Sequence, residues 1–261
     1  MKKGAELLLK ENLKALNLSH MYTHLGPLVR EARENGTGHE EFLLALTEVE
    51  LQVRGENRLK RKLREAKFPL LKTLEQFDHD STPELDKRLM RELESGEYLR
   101  CHRNIIFMGK SGTGKTHLAT GLGVAACRQG ISTRFVSGCG LSNELMEAQS
   151  ERRLSRLIQK YARYGLVVID ELGYVNFSRE CGELLFQVLA ERHERGSVII
   201  TTNLGFADWT QVFGDATLTA ALLDRLTHKA HIIQCTRESY RLKETLKSKR
   251  NSTCKASRND Q

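Results

Sequence analysis

The chain has 261 residues, 39% hydrophobic and 28% charged, enough for one α/β domain with a small companion and too apolar for wholesale disorder. Three prolines exclude collagen-like and proline-rich readings. A formal charge of +8 and a pI near 9.2 favour a polyanionic partner such as nucleic acid, while saying nothing about fold.

At the start, the apolar run Leu7–Leu9 is cut short by Lys10 and Glu11, so no signal peptide is expected. No later stretch approaches the ~18 apolar residues of a membrane span, and no membrane partner is expected. Leu9, Leu13 and Leu16 repeat at helical spacing and predict a first helix ending near Asn17. Ser19 is the predicted cap of a second helix carrying Met21, Leu25, Leu28 and Val29, with Pro27 weakening its inner turns. Asn35-Gly36-Thr37-Gly38 is a break. A third helix begins near His39 and turns Phe42, Leu43, Leu46 and Val53 toward a core.

The continuation of that helix is basic. Arg54, Arg58, Lys60, Arg61, Lys62, Arg64 and Lys67 are opposed only by Glu56 and Glu65. Such a run is either a solvated helix face with i,i+4 pairing or a phosphate-contacting surface, and its density and single sign favour the second. Pro69 ends or bends the segment, and Phe77–Pro83 reads as a linker. The boundaries are then a helical N-terminal domain over 1–76, with DNA or partner contact, and a lead-in over 77–103.

From residue 104 the pattern becomes strand–helix alternation, and the core is predicted over 104–247. Strands are expected at Asn104–Met108, Thr133–Ser137, Leu166–Ile169, Ser197–Thr201 and His231–Gln234. Helices are expected over Thr116–Arg128, from about Leu141 to Arg163, and through Leu184, Leu185, Val188 and Leu189. Short apolar strands between amphipathic helices argue for an α/β fold with a parallel sheet covered on both faces. The tail, 248–261, is polar and basic and expected to be disordered. Six cysteines without CxxC spacing read as reduced thiols of a cytoplasmic protein. His228, His231 and Cys235 have spacings that suit a metal but no fourth ligand, so no metal is expected there.

Gly109-Lys110-Ser111-Gly112-Thr113-Gly114-Lys115-Thr116, followed by His117, fits the phosphate-binding loop GxxxxGK[ST]. Its glycines allow backbone N–H groups to turn toward ATP phosphates, and the helix opening at Lys115 adds its positive end. Lys115 is expected at the β- and γ-phosphates and the Thr116 hydroxyl on Mg²⁺. The apolar run Leu166–Ile169 then delivers Asp170 and Glu171 at the ligand edge of the sheet. Asp170 is assigned to Mg²⁺ and Glu171 to orienting and deprotonating the attacking water. At the tip of the next strand, Asn203 either reaches the γ-phosphate or its water, or simply terminates the strand.

These residues together resemble the AAA+ ATPases, and within them the branch of bacterial replicative helicase loaders and IstB-type transposition helper proteins, the IstB type above all. The segments carrying the resemblance are Leu85-Asp86-Lys87-Arg88-Leu89, Gly109–Thr120, Val168–Tyr174, Thr201-Thr202-Asn203, Leu223-Asp224-Arg225-Leu226 and Ser239-Tyr240-Arg241-Leu242-Lys243. Their order and spacing cover nearly the whole chain. The chain departs from relatives at Lys110-Ser111, where two prolines are common; backbone contacts to phosphate are indifferent to that change.

The resemblance implies an AAA+ core with a parallel five-stranded sheet ordered 5-1-4-3-2 behind the helical domain. It implies that Arg225 is an arginine finger entering a neighbouring subunit's ATP site and that Arg241 is the second-sensor arginine of its own subunit. It also implies that Arg152, Arg153, Arg156 and Lys160 lie on an extra helix facing DNA in an oligomer, with Arg152, Arg156 and Lys160 on one face by spacing. The function so implied is that of a bacterial, cytoplasmic, Mg²⁺-dependent ATPase. It would form a homo-oligomer on duplex DNA, deform it and deliver it to the transposase of the same mobile element. Helicase loading and a non-catalytic, ATP-gated DNA-binding role are the alternatives.

Overall fold

The computed structural model describes residues 3–78, 82, 85–174 and 177–236. Arg241, its Ser239–Lys243 segment and the 248–261 tail lie outside the described residues. The chain forms two compact units, 1–61 and 62–261. The division falls inside the third helix, so residues 62–76, expected with the helical domain, belong with the sheet unit. The reason is apolar: Phe68 and Leu74 pack with the helix that follows the phosphate loop, where Gly121 and Gly123 admit them.

The first unit holds α1 (Lys3–Ala15), α2 (Ser19–Asn35) and most of α3 (His39–Ala66). Leu13, Met21, Leu25 and Leu46 form its small core, with Phe42 partly buried against them. Leu43, expected inward, is 56% exposed, because a helix turns neighbouring residues 100° apart and Phe42 and Leu46 take the buried side. Asn17 ends the first helix in the left-handed region at φ 56°. Helix α2 runs through Pro27 and stops at Gly36 (φ 64°). Its start is not capped by the Ser19 side chain. The buried Glu50 carboxylate of α3 does this instead, accepting from the His20 and Met21 N–H groups at 2.9 and 3.0 Å.

The second unit is a five-stranded sheet of β1 (Ile105–Met108), β2 (Thr133–Ser137), β3 (Leu166–Asp170), β4 (Ser197–Thr202) and β5 (His231–Gln234). Every neighbouring pair is parallel and the order is β5-β1-β4-β3-β2, as the resemblance implied. Alternation along each strand divides the apolar side chains between two faces. Ile105, Phe107, Leu166, Val168 and Ile199 meet α4 (Lys87–Ser95), α5 (Glu97–Arg100) and α6 (Lys115–Arg128) on one face. Ile106, Val167, Ile169, Val198 and Ile200 meet the remaining helices on the other.

Those helices are α7 (Gly138–Ser150), α8 (Leu154–Ala162), α9 (Arg179–Arg192), α10 (Trp209–Phe213) and α11 (Ala216–Thr227). The single helix expected from Leu141 to Arg163 is therefore two. Arg152 takes a left-handed φ of 56°, the Arg152 N–H reaches back to Gln149 O and the Arg153 N–H to Ala148 O. That pair of reversed bonds is a Schellman stop with arginine in the place usually held by glycine. Among the described residues no helix is long and apolar enough to cross a membrane.

Candidate nucleotide-binding site

The phosphate loop leaves the end of β1 and feeds α6. Sheet register puts Phe107 opposite Thr201 and Met108 opposite Thr202, so the loop sits beside the end of β4. Close backbone approach explains two of its glycines. A Cβ on Gly109 (φ 150°) would lie 2.1 Å from the Cys235 carbonyl oxygen, and one on Gly114 (φ 93°) 2.8 Å from the Phe77 ring. The Lys115 ammonium is buried and donates to the Gly109 and Lys110 carbonyls at 2.6 and 2.8 Å. It is thereby held inside the loop's curve, where the approaching phosphate must outcompete two neutral acceptors.

At the end of β3 the acidic pair diverges. Asp170 is buried, and its Oδ1 accepts from the Thr116 hydroxyl at 2.9 Å and the Thr201 hydroxyl at 2.5 Å. Glu171 is exposed, at a left-handed φ of 57°, and its N–H donates to Thr201 Oγ1 at 2.9 Å. The Leu172 N–H donates to the Thr201 carbonyl at 2.9 Å. One β4 residue thus fixes both acids, a role the sequence reading did not give it. The sequence offers a hydroxyl closing an apolar strand and its place in the segment Thr201-Thr202-Asn203, without a role for either. The Thr116 hydroxyl and Asp170 carboxylate are hard oxygen donors side by side, the kind that Mg²⁺ accepts.

A cavity of about 520 Å³ opens on Thr116, Thr201 and Glu171. It is lined by Ser111–His117, Glu171, Thr201, Thr202 and Asn203, so the loop, the second acid and the strand-tip asparagine meet as expected. Its further wall comes from Pro69, Leu70, Gln76 and Phe77. That wall lies partly in the stretch read as linker, whose apolar Phe77 was the overlooked signal. His117 ties the two walls together: its Nε2 is 2.8 Å from Thr73 O and its ring meets Phe77 edge-on at 5.3 Å. A polar phosphate end and a partly apolar far end in one volume suit a nucleotide.

Arg225 is placed elsewhere. It lines a separate cavity of about 210 Å³, which shares no described lining residue with the first. Its guanidinium stacks 4.4 Å over the Phe186 ring, and its buried Nη1 finds no hydrogen-bond partner among the described residues. Of the sequence-spaced trio His228, His231 and Cys235, His228 lines this cavity, whereas Cys235 follows β5 beside Gly109 of the phosphate loop. The Cys235 thiol is buried and pushed up to about 11 by that burial, against the pull of Lys115, so it is protonated at neutral pH.

The basic residues separate into two kinds. Arg54 is taken by local structure, bonding Glu50 at 2.7 Å and the Asn17 carbonyl at 2.6 Å. It is a corner post of the helical unit rather than an unengaged cation. Arg58, Lys60, Arg61 and Arg64 are exposed and Lys62 is half-buried. In the second group the expected stripe of Arg152, Arg156 and Lys160 is broken, because Arg152 lies in the turn between α7 and α8. Arg153, Arg156 and Lys160 instead line one shallow depression with Glu144 and Glu147.

Comparison with known proteins agrees with this geometry. The family model described as IstB-like ATP binding protein matches residues 11–248. An insertion sequence IS21 putative ATP-binding protein of Pseudomonas aeruginosa is 38% identical over 236 residues, covering 90% of this chain and 89% of the relative. An insertion sequence IS232 putative ATP-binding protein of Bacillus thuringiensis subsp. berliner is 37% identical, with 90% and 94% covered. Among solved structures, DnaI superposes with a TM-score of 0.55 at 17% identity, over 63% of this chain and 91% of that one. AMPPCP-bound DnaA from Aquifex aeolicus gives 0.55 at 18%, over 69% of this chain and 56% of that one. At such identities these two likenesses concern the fold alone.

Proposed function

This chain belongs to the IstB-like ATP-binding protein family, and from that premise we propose that it is a Mg²⁺-dependent ATPase working as an oligomer on duplex DNA. The observation that carries the proposal is the hydrogen-bonded cluster of Thr116, Asp170, Thr201 and Glu171 at the mouth of the phosphate loop. Gly109–Thr116 and Lys115 hold the phosphates; Thr116 and Asp170 hold Mg²⁺, which supplies charge neutralisation on the phosphate oxygens. Glu171, turned away from Asp170, takes a proton from water as its oxygen attacks the γ-phosphorus. The bond from that phosphorus to the β,γ-bridging oxygen breaks, leaving ADP and phosphate. Asn203, on the same cavity wall, orients that water.

Arg225 completes the site of a neighbouring subunit. Its place in a cavity that shares no described lining residue with the nucleotide cavity supports that role. Arg241 is assigned to its own subunit's γ-phosphate by resemblance. Exposed Arg58, Lys60, Arg61 and Arg64 of α3, and Arg153, Arg156 and Lys160 at the start and along α8, supply the DNA contacts. The insertion-sequence names of the relatives support a transposase as the partner that receives the DNA, in the bacterial cytoplasm. They favour that role over helicase loading, with which the fold is shared.

The test is phosphate release measured across protein concentration, with and without duplex DNA. A rate per subunit that climbs with concentration and with DNA, and vanishes in Glu171→Gln, is expected. A rate per subunit that is independent of concentration and indifferent to DNA would overturn the shared site.

A further inference from the structure

The cavity around Arg225 also contains the one cluster of three histidine, cysteine or carboxylate side chains among the described residues that is close enough to share a metal ion. His193 follows α9, Glu194 follows it at a left-handed φ of 59°, and His228 follows α11. The imidazole nitrogens and a carboxylate oxygen of these three side chains all lie within 4.8 Å of one another. The two rings face each other with centroids 5.7 Å apart at 50°. All three residues line the cavity. We propose that His193, Glu194 and His228 form a binding site for a divalent transition-metal ion of the zinc class.

Two imidazoles and one carboxylate are a set that zinc takes, leaving a fourth position for water or a further ligand. Binding at about 2.0–2.2 Å from each donor requires the three atoms to close by roughly an ångström. Glu194 and His228 are exposed and His193 is half-buried, so rotamer changes suffice for that closure. The principal competitor is Lys229, whose ammonium lies 3.7 Å from Glu194. Arg192 and Arg225 also line the cavity and add positive charge. Arg192 is committed, donating to the Tyr161, Tyr164 and Ser197 carbonyls. Three neighbouring cations set the affinity below that of a buried structural zinc, which makes occupancy responsive to metal supply.

The consequence follows from chain position. His228 stands three residues after Arg225, on the same helix end, so an ion held with His193 and Glu194 pins the end of α11 to the end of α9. Metal binding would thereby fix the helix that carries Arg225. The binding claim itself does not depend on the ATPase reading, because it is read without nucleotide.

The test is titration of the full-length, nucleotide-free protein with Zn²⁺ against a chromophoric chelator, and with Co²⁺ by absorbance. One ion per chain is expected, with Co²⁺ bands of nitrogen and oxygen ligation and no thiolate charge-transfer band. Affinity should fall about tenfold or more in His193→Ala and in His228→Ala. It should rise in Lys229→Asn, which removes the competing charge and tolerates the left-handed φ of 55°. Circular dichroism of each variant separates lost ligation from lost fold, and His228→Gln repeats the test with less change of shape. Absence of binding, affinity unchanged by both His228 variants in folded protein, or a thiolate band would each overturn the proposal.

Discussion

In the nucleotide cavity, the polar groups at the strand ends are already tied to one another. Thr201 holds Asp170 and the Glu171 N–H, Thr116 shares Asp170, and Lys115 is held by two loop carbonyls. In the cavity around Arg225 the guanidinium has an aromatic ring beneath it and a buried Nη1 with no described partner. The first arrangement is organised before a ligand arrives, so little reorganisation is needed when charge develops on the phosphate. The second leaves a buried donor that no described residue satisfies, a state that costs free energy while it stays unpaired. The contrast sets a nucleotide cavity whose groups are already tied together against the dependence on a neighbour proposed for Arg225.

Arg225→Ala offers the sharpest way to break that comparison. As an arginine finger it should cost ~10³–10⁵ in turnover, with ATP affinity retained. Phosphate release and binding of a fluorescent ATP analogue check the two halves; a parallel loss of affinity would move Arg225 into its own subunit's site. Glu171→Gln should cost ~10²–10⁴ in turnover as a lost general base. Mixing these two inactive variants should restore part of the activity, because some interfaces then pair an intact Glu171 with an intact Arg225. No recovery in mixtures that co-assemble would argue against a shared site.

Smaller effects sharpen the picture of a pre-tied cavity. Lys115→Ala removes a charged donor worth about 1.5–3 kcal/mol, so ATP should bind about 10- to 100-fold more weakly in equilibrium titration. Thr201→Val keeps the shape but strips a donor from Asp170 and an acceptor from the Glu171 N–H. It should lower stability by about 1–3 kcal/mol in urea unfolding and slow turnover more than it weakens ATP binding.

The smallest effect lies in the helical unit. Burial pushes the Glu50 carboxyl upward, but the Met21 and His20 N–H groups and Arg54 outweigh it and leave its pKa lowered. A carboxyl lowered in the folded state adds stability above its unfolded value of about 4.3 and loses it as pH falls through the folded value. Glu50→Gln should therefore cost about 1 kcal/mol at neutral pH. That difference should shrink below pH 4, while ATP affinity at neutral pH stays unchanged.

The comparison also sorts what was legible. The groups at the nucleotide cavity that form contiguous motifs were visible: the loop Gly109–Thr116, the acid pair Asp170 and Glu171, and the strand-tip Asn203. Thr201 was not, although the implied strand order already set β4 between β1 and β3, because which β4 hydroxyl meets the two acids depends on the register and packing of β4 against β3. The wall from Pro69 to Phe77 was misplaced for a related reason: the sequence puts 69–76 with the helical domain and Phe77 in a linker, because an aperiodic segment does not show that α6 is there to pack against. Helix ends misled in the same way. Ser19 is a good cap by type, yet Glu50, 31 residues further on, holds the N-terminus. Arg152 stops a helix where no glycine marked the stop. Arg54 carries the right charge for phosphate but is spent on Glu50 and Asn17.

What the sequence by itself determined is therefore local: strand positions, the phosphate loop and the acids at the end of β3. These follow from periodicity and spacing, which act over a few residues of the same chain. Only the tertiary structure decided which distant side chains share a cavity. His228 was noticed beside His231 and Cys235, but β5 buries the thiol and the fold sets His228 beside His193 and Glu194. The physical reason is that a helix end or a strand end gathers side chains by packing of the elements behind them, and packing has no spacing that can be read along the chain.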